Sequence, residues 1–359
     1  MLKKSHGMSR NILLLQLLGF LIISGVAMAQ GTAATYKVAV VGFYNLENLF
    51  DTVDTEGVND EEFTPSGPKN YNTAIYTDKL NKLATVISQQ GSDVSPDGPA
   101  LLGVSEIENH GVLSDLVRHP LLAKRNYQIV HYDSKDARGV DVGLLYNPKY
   151  FRVDTSDKLF VQLPGGSKDA YYTRDILYVK GLLDGEMIHL YINHWPSRSG
   201  GEARSAPARK AAAQVCRDHI EQVVLKADPM AKVIVMGDLN DDPYNESIAD
   251  VMRAKGKLAE VGDADLFNPW YDLHRKGYGT LAYQDAWGLF DQILISKPWT
   301  DREQSGFFYY KPQIFSRDHM IENIGKYKGY PMRTWDGNIY RGGYSDHFPT
   351  HIVLLKKNR

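Results

Sequence analysis

The sequence is short of cysteine and of net charge. Cys216 is the single cysteine in 359 residues, which excludes an internal disulfide framework and a zinc site built from paired cysteines. Neither sign of charge dominates, since 41 Lys and Arg residues against 43 Asp and Glu residues give a net charge of −2. A protein that binds nucleic acid through bulk positive charge is therefore excluded. The composition, 43% hydrophobic and 23% charged, is typical of a soluble globular protein.

The motifs of several enzyme classes are also missing. The chain contains no GxSxG, HExxH, GxxxxGK[ST] or GxGxxG pattern. A serine hydrolase relay built from Ser345, Asp346 and His347 is excluded as well, because adjacent residues on an extended segment point in different directions. The chemistry must therefore be sought in residues that are scattered along the chain.

The first 29 residues are predicted to be a cleaved signal peptide. A positively charged start precedes an apolar run that ends in the small-x-small sequence Ala27-Met28-Ala29. The alternative is an uncleaved membrane anchor, but the run over residues 12–26 is short for a span of ~20 apolar residues. No lipobox cysteine follows the run. We therefore expect a secreted or periplasmic protein without a stable membrane anchor.

Residues 30–359 are predicted to form a single α/β domain. Nine strand-like runs rich in Val, Ile, Leu and Tyr span residues 36–44, 100–106, 127–132, 140–146, 176–183, 187–195, 232–239, 290–296 and 350–355. Helical spacing of apolar residues appears over 77–90 and 207–226, and Pro207 suits the first turn of the second helix. Many strands are joined without a helix between them, which favours two mixed sheets packed together with helices outside.

Polar residues that a core would not accommodate lie at the ends of several strand-like runs. They are Asn45, Glu106, His194, Asp238, Asn240 and, just before the last run, Asp346 and His347. Each has an ordinary explanation as a turn residue, a helix cap or a half-buried histidine. Together they indicate a site, because rigid scaffolds present catalytic groups at strand ends.

The residue types at these positions suit metal-assisted cleavage of a phosphate ester. Asn45, Glu106 and Asp346 supply oxygen donors, a set suited to Mg²⁺, with Mn²⁺ or Ca²⁺ as alternatives. The two histidines suit proton transfer near neutral pH. A metal neutralises charge that develops on phosphate, while Asp or His orients or deprotonates water.

Arginines close to these motifs are candidates for phosphate binding, because a guanidinium contacts phosphate oxygens through two parallel hydrogen bonds. The candidates are Arg138, Arg174, Arg198 and Arg209. For Arg209, which lies on the second predicted helix, a solvated helix face is the favoured alternative.

Seven motifs occur in order along the chain, and together they resemble the endonuclease/exonuclease/phosphatase superfamily of deoxyribonuclease I-like enzymes. They are FYNLENLFD (43–51), GVSEIEN (103–109), RGVDVGLLYNP (138–148), INHWPSRSGGE (192–202), VMGDLNDDP (235–243), FDQILIS (290–296) and YSDHFP (344–349). The nearest likeness is to the exported bacterial branch. The resemblance implies a four-layer α/β sandwich, with two central mixed β-sheets flanked by helices and the site at one edge of the sheets.

The resemblance also implies roles for individual residues. The implied catalytic residues are His194, Asp238, Asn240, Asp291 and His347, and the implied metal site contains Asn45, Glu106 and Asp346. In this scheme Asp291 holds the imidazole of His347. Asp141 is expected either to support His194 or to pair with Arg138.

Two classes of function remain open from the sequence. The first is a secreted, divalent-metal-dependent phosphodiesterase, most simply a nuclease acting on extracellular DNA or RNA. Its alternative within that class is an enzyme for a small phosphate ester, such as a nucleotide, an inositol phosphate or a lipid headgroup. The second class, a catalytically silent binding module, is disfavoured because no expected role lacks its residue. We expect a monomer, with the acidic segment 51–72 as a solvated loop.

Overall fold

The computed structural model describes residues 35–164 and 172–358, so the signal peptide predicted at residues 1–29 lies outside the described chain. The strands of the described chain are β1 (Tyr36–Leu49), β2 (Leu101–Ile107), β3 (Gln128–His131), β4 (Asp141–Tyr146), β5 (Phe151–Leu159), β6 (Ile176–Leu183), β7 (Glu186–His194), β8 (Lys232–Asp238), β9 (Ala254–Lys255), β10 (Leu266–Phe267), β11 (Leu281–Tyr283), β12 (Ala286–Gly288), β13 (Asp291–Ser296), β14 (Phe308–Ile314), β15 (Trp335–Asp336), β16 (Ile339–Tyr340) and β17 (Thr350–Lys357).

Two large sheets form the centre of the molecule. The first has six strands in the order β14-β17-β1-β2-β4-β3, and the second has seven in the order β5-β6-β7-β8-β13-β10-β9. Both sheets are mixed, because β1 is parallel to β2 but antiparallel to β17, and β7 is parallel to β8 but β8 is antiparallel to β13. In the second sheet His194 pairs with Asp238, which in turn pairs with Asp291. The register therefore places three predicted site residues side by side.

Helices cover the outer faces of the two sheets. They are α1 (Thr73–Gln89), α2 (His110–Arg118), α3 (Glu202–His219) and α4 (Tyr271–Arg275), with shorter helical turns at Glu61–Phe63, Ala123–Arg125, Ile220–Leu225, Ser247–Val251, Leu258–Glu260, Lys297–Thr300, Asp318–Met320 and Gly325–Tyr327. The helices α1 and α2 pack on the first sheet, α3 packs on the second, and a third apolar cluster fills the space between the sheets. The expected four-layer sandwich is confirmed. Within the described residues no helix combines the length and apolarity that a bilayer span requires.

The second long helix begins earlier than its apolar spacing predicts. It starts at Glu202 instead of 207, so Pro207 lies inside α3 and not in its first turn. Proline has no N–H to donate to the carbonyl of the residue four positions before it. That residue is Ala203, which is exposed, so water replaces the lost partner at small cost.

Strand β1 extends beyond Asn45, where its strand-like run was predicted to end. It continues to Leu49 through Glu47 and Asn48, which both have left-handed backbone angles (φ 48° and 57°). The pairing with β2 shifts between Asn45 and Leu49. The bulge changes the directions of successive side chains, so that Asn45 and Glu47 both lie at the edge of the sheet.

The acidic segment 51–72 is not the solvated loop that its composition predicts. Phe63 and Tyr71 are buried in an aromatic cluster with Phe50 and Trp335. The rings of Phe50 and Phe63 stack with their centroids 4.2 Å apart. The acidic residues lie around these apolar anchors, which attach the segment to the fold.

Candidate functional site

Strand ends from both sheets meet at one edge of the sandwich and bring most of the predicted site residues together. The first sheet contributes Asn45, at the bulge in β1, and Glu106, near the end of β2, and the second contributes His194, Asp238 and Asp291 from β7, β8 and β13. His347 lies three residues before β17. Parallel neighbours end on the same side of a sheet, which explains why such distant parts of the sequence converge.

Asn45 joins the two sheets at this edge. Its Nδ2 donates to Glu106 Oε1 at 3.1 Å and to Asp238 Oδ2 at 3.0 Å. His194 lies over the same pair, with Nε2 3.8 Å from Glu106 Oε1 and 3.7 Å from Asp238 Oδ2. The Glu106 backbone is left-handed (φ 57°), and its other carboxylate oxygen accepts from the N–H of Asn48 at 3.0 Å. The bulge in β1 therefore fixes Glu106.

His347 lies between two carboxylates. Its Nδ1 is 2.7 Å from Asp291 Oδ2, and its Nε2 is 3.9 Å from Asp238 Oδ2. Burial lowers the pKa of His347, but attraction to Asp291 and Asp238 outweighs burial and raises it well above its usual value. Burial raises the pKa of Asp238, and the cationic His347 opposes that shift. His347 is therefore an imidazolium near neutral pH.

His194 has no such carboxylate behind it. Its Nδ1 is buried and has no hydrogen-bond partner among the described residues. Burial lowers the pKa of His194 well below its usual value, and repulsion from Arg174 and Arg138 lowers it further. His194 is therefore a neutral imidazole.

Arg174 does not have the exposed position that phosphate binding requires, which corrects its sequence-based interpretation. Its side chain is buried, and its Nε and Nη2 donate to the carbonyls of His194 at 3.1 Å and Trp195 at 2.7 Å. Its Nη1 pairs with Asp136 Oδ2 at 3.2 Å. Main-chain carbonyls just after a buried strand need donors, and Arg174 supplies two of them. It supports the backbone that presents His194.

Arg198 is likewise committed to the protein and not to a ligand. It donates to the carbonyl of Asn240 at 3.0 Å and to Asp242 at 3.1 Å, and its guanidinium lies 4.5 Å from the centre of the Phe290 ring. Asn240 in turn donates from its amide to the carbonyl of Trp195 at 2.9 Å. Arg198 therefore holds the loop that contains Asn240.

Arg138 is the predicted phosphate ligand that keeps an exposed guanidinium. Its side chain is 49% exposed, and its Nε is 3.7 Å from Asp136 Oδ1, beyond hydrogen-bond distance. It is close enough to His194 to lower the pKa of that imidazole. Arg209, by contrast, is fully buried and its Nε is 2.7 Å from Asp241 Oδ1, so the interpretation of a solvated helix face was wrong.

Asp141 supports a different histidine from the one expected. Its Oδ2 is 3.1 Å from His131 Nε2, and its Oδ1 accepts from the N–H of Ser134 at 2.9 Å. Among the described residues it contacts neither His194 nor Arg138. The reason is local, because β3 and β4 are paired and Asp141 and His131 lie at the same end of that pair.

Asp346 lies at the rim of the site, with 34% of its side chain exposed. Its Oδ1 is 4.0 Å from His347 Nε2, and its Oδ2 is 3.9 Å from Arg333 Nη2. The neighbouring Ser345 donates to the main-chain carbonyl of Asn45 at 2.8 Å. This contact attaches the segment that contains Asp346 and His347 to the end of β1.

Beneath the rim of the site lies a buried charged pair, Glu47 and Lys79, that no sequence motif indicated. Both carboxylate oxygens of Glu47 accept main-chain N–H groups, from Thr334 at 2.6 Å and Trp335 at 3.2 Å. Lys79 Nζ donates to the Thr334 hydroxyl at 2.9 Å, so Thr334 links the two charged groups. A signal was available, because Lys79 lies four residues before Leu83 on the apolar face of α1, where a lysine is unexpected.

The donor set fits a divalent cation. Single ligand atoms of Glu106, His194 and Asp238 lie within 4.8 Å of one another, as do those of Asp238, Asp291 and His347. Clustered carboxylates repel one another, and a hard cation relieves that repulsion. The predicted ligand Asn45 turns its amide nitrogen to the carboxylates, while its oxygen accepts from the N–H of Glu47 at 2.9 Å. Glu106 is therefore the predicted ligand best placed for a metal.

The chain matches one known protein family over most of its length. A profile of the endonuclease/exonuclease/phosphatase family matches residues 40–356. A search of curated proteins gave no match.

Three solved structures are similar over most of the chain. Zebrafish (D. rerio) TDP2 complexed with single-strand DNA product is 13% identical with a TM-score of 0.52, covering 88% of this chain and 98% of that one. An endonuclease/exonuclease/phosphatase family protein from Bacteroides thetaiotaomicron is 16% identical with a TM-score of 0.53, covering 90% and 100%. A mannosyl-6-phosphatase from the same organism is 15% identical with a TM-score of 0.53, covering 88% and 99%. Identities this low show a shared fold.

Proposed function

The chain belongs to the endonuclease/exonuclease/phosphatase family, a family of phosphate-ester hydrolases, and from that premise we propose that it is an exported, Mg²⁺-dependent phosphodiesterase that cleaves DNA or RNA. The observation that carries the proposal is the position of Asp238 beside one cationic and one neutral imidazole. His194 Nε2 and His347 Nε2 lie 3.7 and 3.9 Å from the same carboxylate oxygen. Hydrolysis of a phosphate ester needs a base near the water and a cation near the phosphoryl oxygens, and this cluster supplies both.

Each residue of the site has a different role in the proposed reaction. Asp238, whose pKa is raised by burial, is the group that orients and deprotonates the attacking water. His347 is cationic and donates a hydrogen bond to a phosphoryl oxygen as negative charge develops there. His194 is neutral, and its Nε2 faces the same space. Asn240 and Arg174 keep the backbone after His194 in place.

A divalent metal at the site would neutralise charge on the substrate phosphate. Glu106 would hold it, with Asn45 and Asp346 as the neighbouring oxygen donors that the family resemblance implies. Glu106 lies beside Asp238, so a cation held by Glu106 would lie next to the water that Asp238 orients.

A smaller substrate is the second candidate, and one observation favours it. A polynucleotide groove needs several free cations along the backbone path. Arg174 and Arg198, two of the four arginines that the sequence offers as phosphate ligands, are committed to carbonyls and carboxylates of the protein. A small phosphate ester needs fewer such contacts. The similar solved structures include both a DNA complex and a mannosyl-6-phosphatase, so both substrate classes are candidates.

The test is a substrate panel with the purified protein. Plasmid DNA, single-stranded DNA, RNA, small phosphodiesters, inositol phosphates and sphingomyelin are each incubated with Mg²⁺, with Mn²⁺ and with excess chelator. We expect cleavage that disappears in chelator and returns with either metal. Full activity in excess chelator would refute the metal-dependent mechanism, and cleavage of only the small phosphodiesters, inositol phosphates or sphingomyelin would replace the nuclease by the second candidate.

Export is a separate part of the proposal and needs its own measurement. The full chain is produced in a bacterial host, and the N-terminal mass of the protein is determined in cytoplasmic, membrane, periplasmic and medium fractions. We expect a mature form that begins near Gln30 outside the cytoplasm. An uncleaved chain in the membrane fraction would show an anchor instead. Sedimentation of the same material tests the expected monomer.

A further inference from the structure

A cation that no sequence motif indicated lies at the rim of the site. Arg333 Nη2 is 3.9 Å from Asp346 Oδ2, and its guanidinium carbon is 4.8 Å from the centre of the Tyr327 ring. The side chain is 28% exposed. The 3.9 Å separation exceeds hydrogen-bond length, and no described residue accepts a hydrogen bond from this guanidinium. Arg333 therefore has free donors beside a predicted metal ligand.

The backbone on one side of Arg333 is fixed by the buried charged pair. Glu47 accepts the N–H groups of Thr334 and Trp335, and Lys79 donates to the Thr334 hydroxyl. Both charged side chains are buried, and a buried pair of charges is weak support for stability because desolvation offsets attraction. What this pair does achieve is to hold one short segment in one position, directly next to Arg333.

The other side of the same segment is fixed by the residues that precede Asp346. The N–H of Tyr344 donates to the carbonyl of Met332 at 2.7 Å. A Cβ at Gly343 would lie 2.1 Å from the carbonyl oxygens of both Met332 and Arg333, so only glycine allows the two segments to approach this closely. The backbone of Arg333 is therefore held from both directions.

The position of Arg333 relative to the chemistry follows from a chain of short distances. Asp346 is 3.9 Å from Arg333 and 4.0 Å from His347, and His347 is 3.9 Å from Asp238. Arg138, the other exposed arginine of the site, is near His194. A phosphate group at the Asp238 cleft would thus have one exposed guanidinium near each histidine.

We propose that Arg333 binds the anionic oxygens of the substrate phosphate, and that Glu47, Lys79 and Thr334 are positioning residues that hold it for this purpose. The proposal deepens the proposed function and rests on it. Arg333 takes the role that the sequence analysis gave to Arg174 and Arg198. A planar guanidinium with free N–H groups matches the two free oxygens of a phosphate ester, and the Tyr327 ring limits the conformations it adopts.

The direct test measures binding of inorganic phosphate to the protein in the presence of Mg²⁺ by calorimetry. We expect Arg333→Gln to weaken the Kd for phosphate ~10-fold or more, the loss typical of a charge-assisted hydrogen bond. The KM for the best substrate should rise in parallel, and Arg333→Lys should recover part of both. An unchanged Kd in Arg333→Gln overturns the proposal.

Arg317→Gln is the matched control. Arg317 also stacks on an aromatic ring, with its guanidinium carbon 4.2 Å from the centre of Phe315, and it is exposed. It has no carboxylate of the site as a neighbour among the described residues. Phosphate affinity should be unchanged in this variant, and an equal loss in both arginine variants would show a general charge effect and overturn the specific role.

The positioning part is tested with Thr334→Val, which keeps the shape of a buried residue and removes the hydroxyl that accepts from Lys79. We expect a ~3-fold weaker Kd for phosphate, with kcat less affected than KM. A variant that loses thermal stability but binds phosphate normally would show that the anchor only stabilises the fold. Lys79→Met is the stronger change and should reproduce the effect on binding if the variant folds.

The outcomes separate this inference from the proposed function. If the wild-type protein cleaves no ester but Arg333→Gln weakens phosphate binding, the hydrolase proposal fails and the phosphate-binding role stands. If the wild-type protein cleaves esters and Arg333→Gln binds phosphate normally, the role of Arg333 alone is refuted.

Discussion

The two histidines of the site lie on opposite sides of one carboxylate but in opposite electrostatic surroundings. His347 has Asp291 at 2.7 Å behind its Nδ1, whereas the Nδ1 of His194 is buried without a partner among the described residues. Cations, Arg174 and Arg138, lie near His194 in place of a carboxylate. The result is one charged and one neutral imidazole within about 4 Å of Asp238. Burial lowers the pKa of both histidines, and only the carboxylates around His347 reverse that shift, so the neighbours of a buried histidine decide whether it is charged.

Removing each imidazole in turn tests whether both histidines take part in the reaction, and we expect the largest effects here. We expect His347→Ala and His194→Ala each to lower kcat at least ~10²-fold, because a group that transfers a proton or stabilises charge in the transition state contributes about that much. Both variants should keep the circular dichroism and melting behaviour of the wild-type protein. Near-normal turnover in either variant removes that histidine from the chemistry.

Removing the carboxylate behind His347 tests the cause of the difference. Asp291→Asn keeps the shape but not the charge, so we expect kcat to fall ~10-fold to ~10²-fold as the imidazolium loses its support. Asp141→Asn is the matched control, because Asp141 holds His131 by a similar contact outside the Asp238 cluster. Steady-state rates of the two variants should differ clearly. Equal losses would indicate that any Asp–His pair at this edge acts only on stability.

On the His194 side the corresponding support is the buried Arg174. Arg174→Gln should lower kcat ~10-fold and the free energy of unfolding by about 1–3 kcal/mol, because two carbonyls and Asp136 lose their donor. Urea unfolding and steady-state kinetics measure the two effects separately. If KM rose while kcat stayed unchanged, Arg174 would be a substrate contact after all.

A third histidine, His351, has a pKa that is lowered chiefly by burial. His351 is fully buried, both its ring nitrogens lack partners among the described residues, and burial lowers its pKa to about 4. Below pH 6.5 the unfolded chain therefore binds a proton that folded His351 does not. The free energy of unfolding falls as pH falls from about 6.5 to about 4, by up to about 3 kcal/mol from this group.

The measurement is urea unfolding of the wild-type protein and of His351→Gln at several pH values between 4 and 8. We expect a weaker pH dependence in the variant, whatever its stability at pH 8. Identical slopes for the two proteins across this range would show that folded His351 takes up its proton as readily as the unfolded chain does.

The strands that the sequence predicts well are interior strands whose side chains are mostly buried. The runs 176–183 and 232–239 correspond to β6 (Ile176–Leu183) and β8 (Lys232–Asp238) almost residue for residue, because their side chains are apolar and continuous. Strand β5 (Phe151–Leu159) escaped notice. It is an edge strand whose side chains alternate toward solvent, so its composition resembles that of a loop.

The site divides in the same way between residues fixed by strands and residues fixed by loops. Glu106, His194 and Asp238 are at or next to strand ends, and Asn45 is at the bulge in β1, so hydrophobic patterning sets their positions. Arg174 and Arg198 were misjudged because the direction of a long side chain depends on which carbonyls nearby lack donors, and no local pattern shows that. Glu47 and Lys79 are 287 and 255 positions from Thr334, the residue that both contact, so only the tertiary structure reveals this arrangement.

The position of β1 between β2 and the last strand, β17, has a consequence for the newly made protein. β1 pairs with β17 along eight residues, and the catalytic cleft needs Asn45 from one strand and His347 from the segment just before the other. Contacts this far apart in sequence form late. The first sheet therefore stays open, and the cluster around Asp238 incomplete, until β17 has paired with β1.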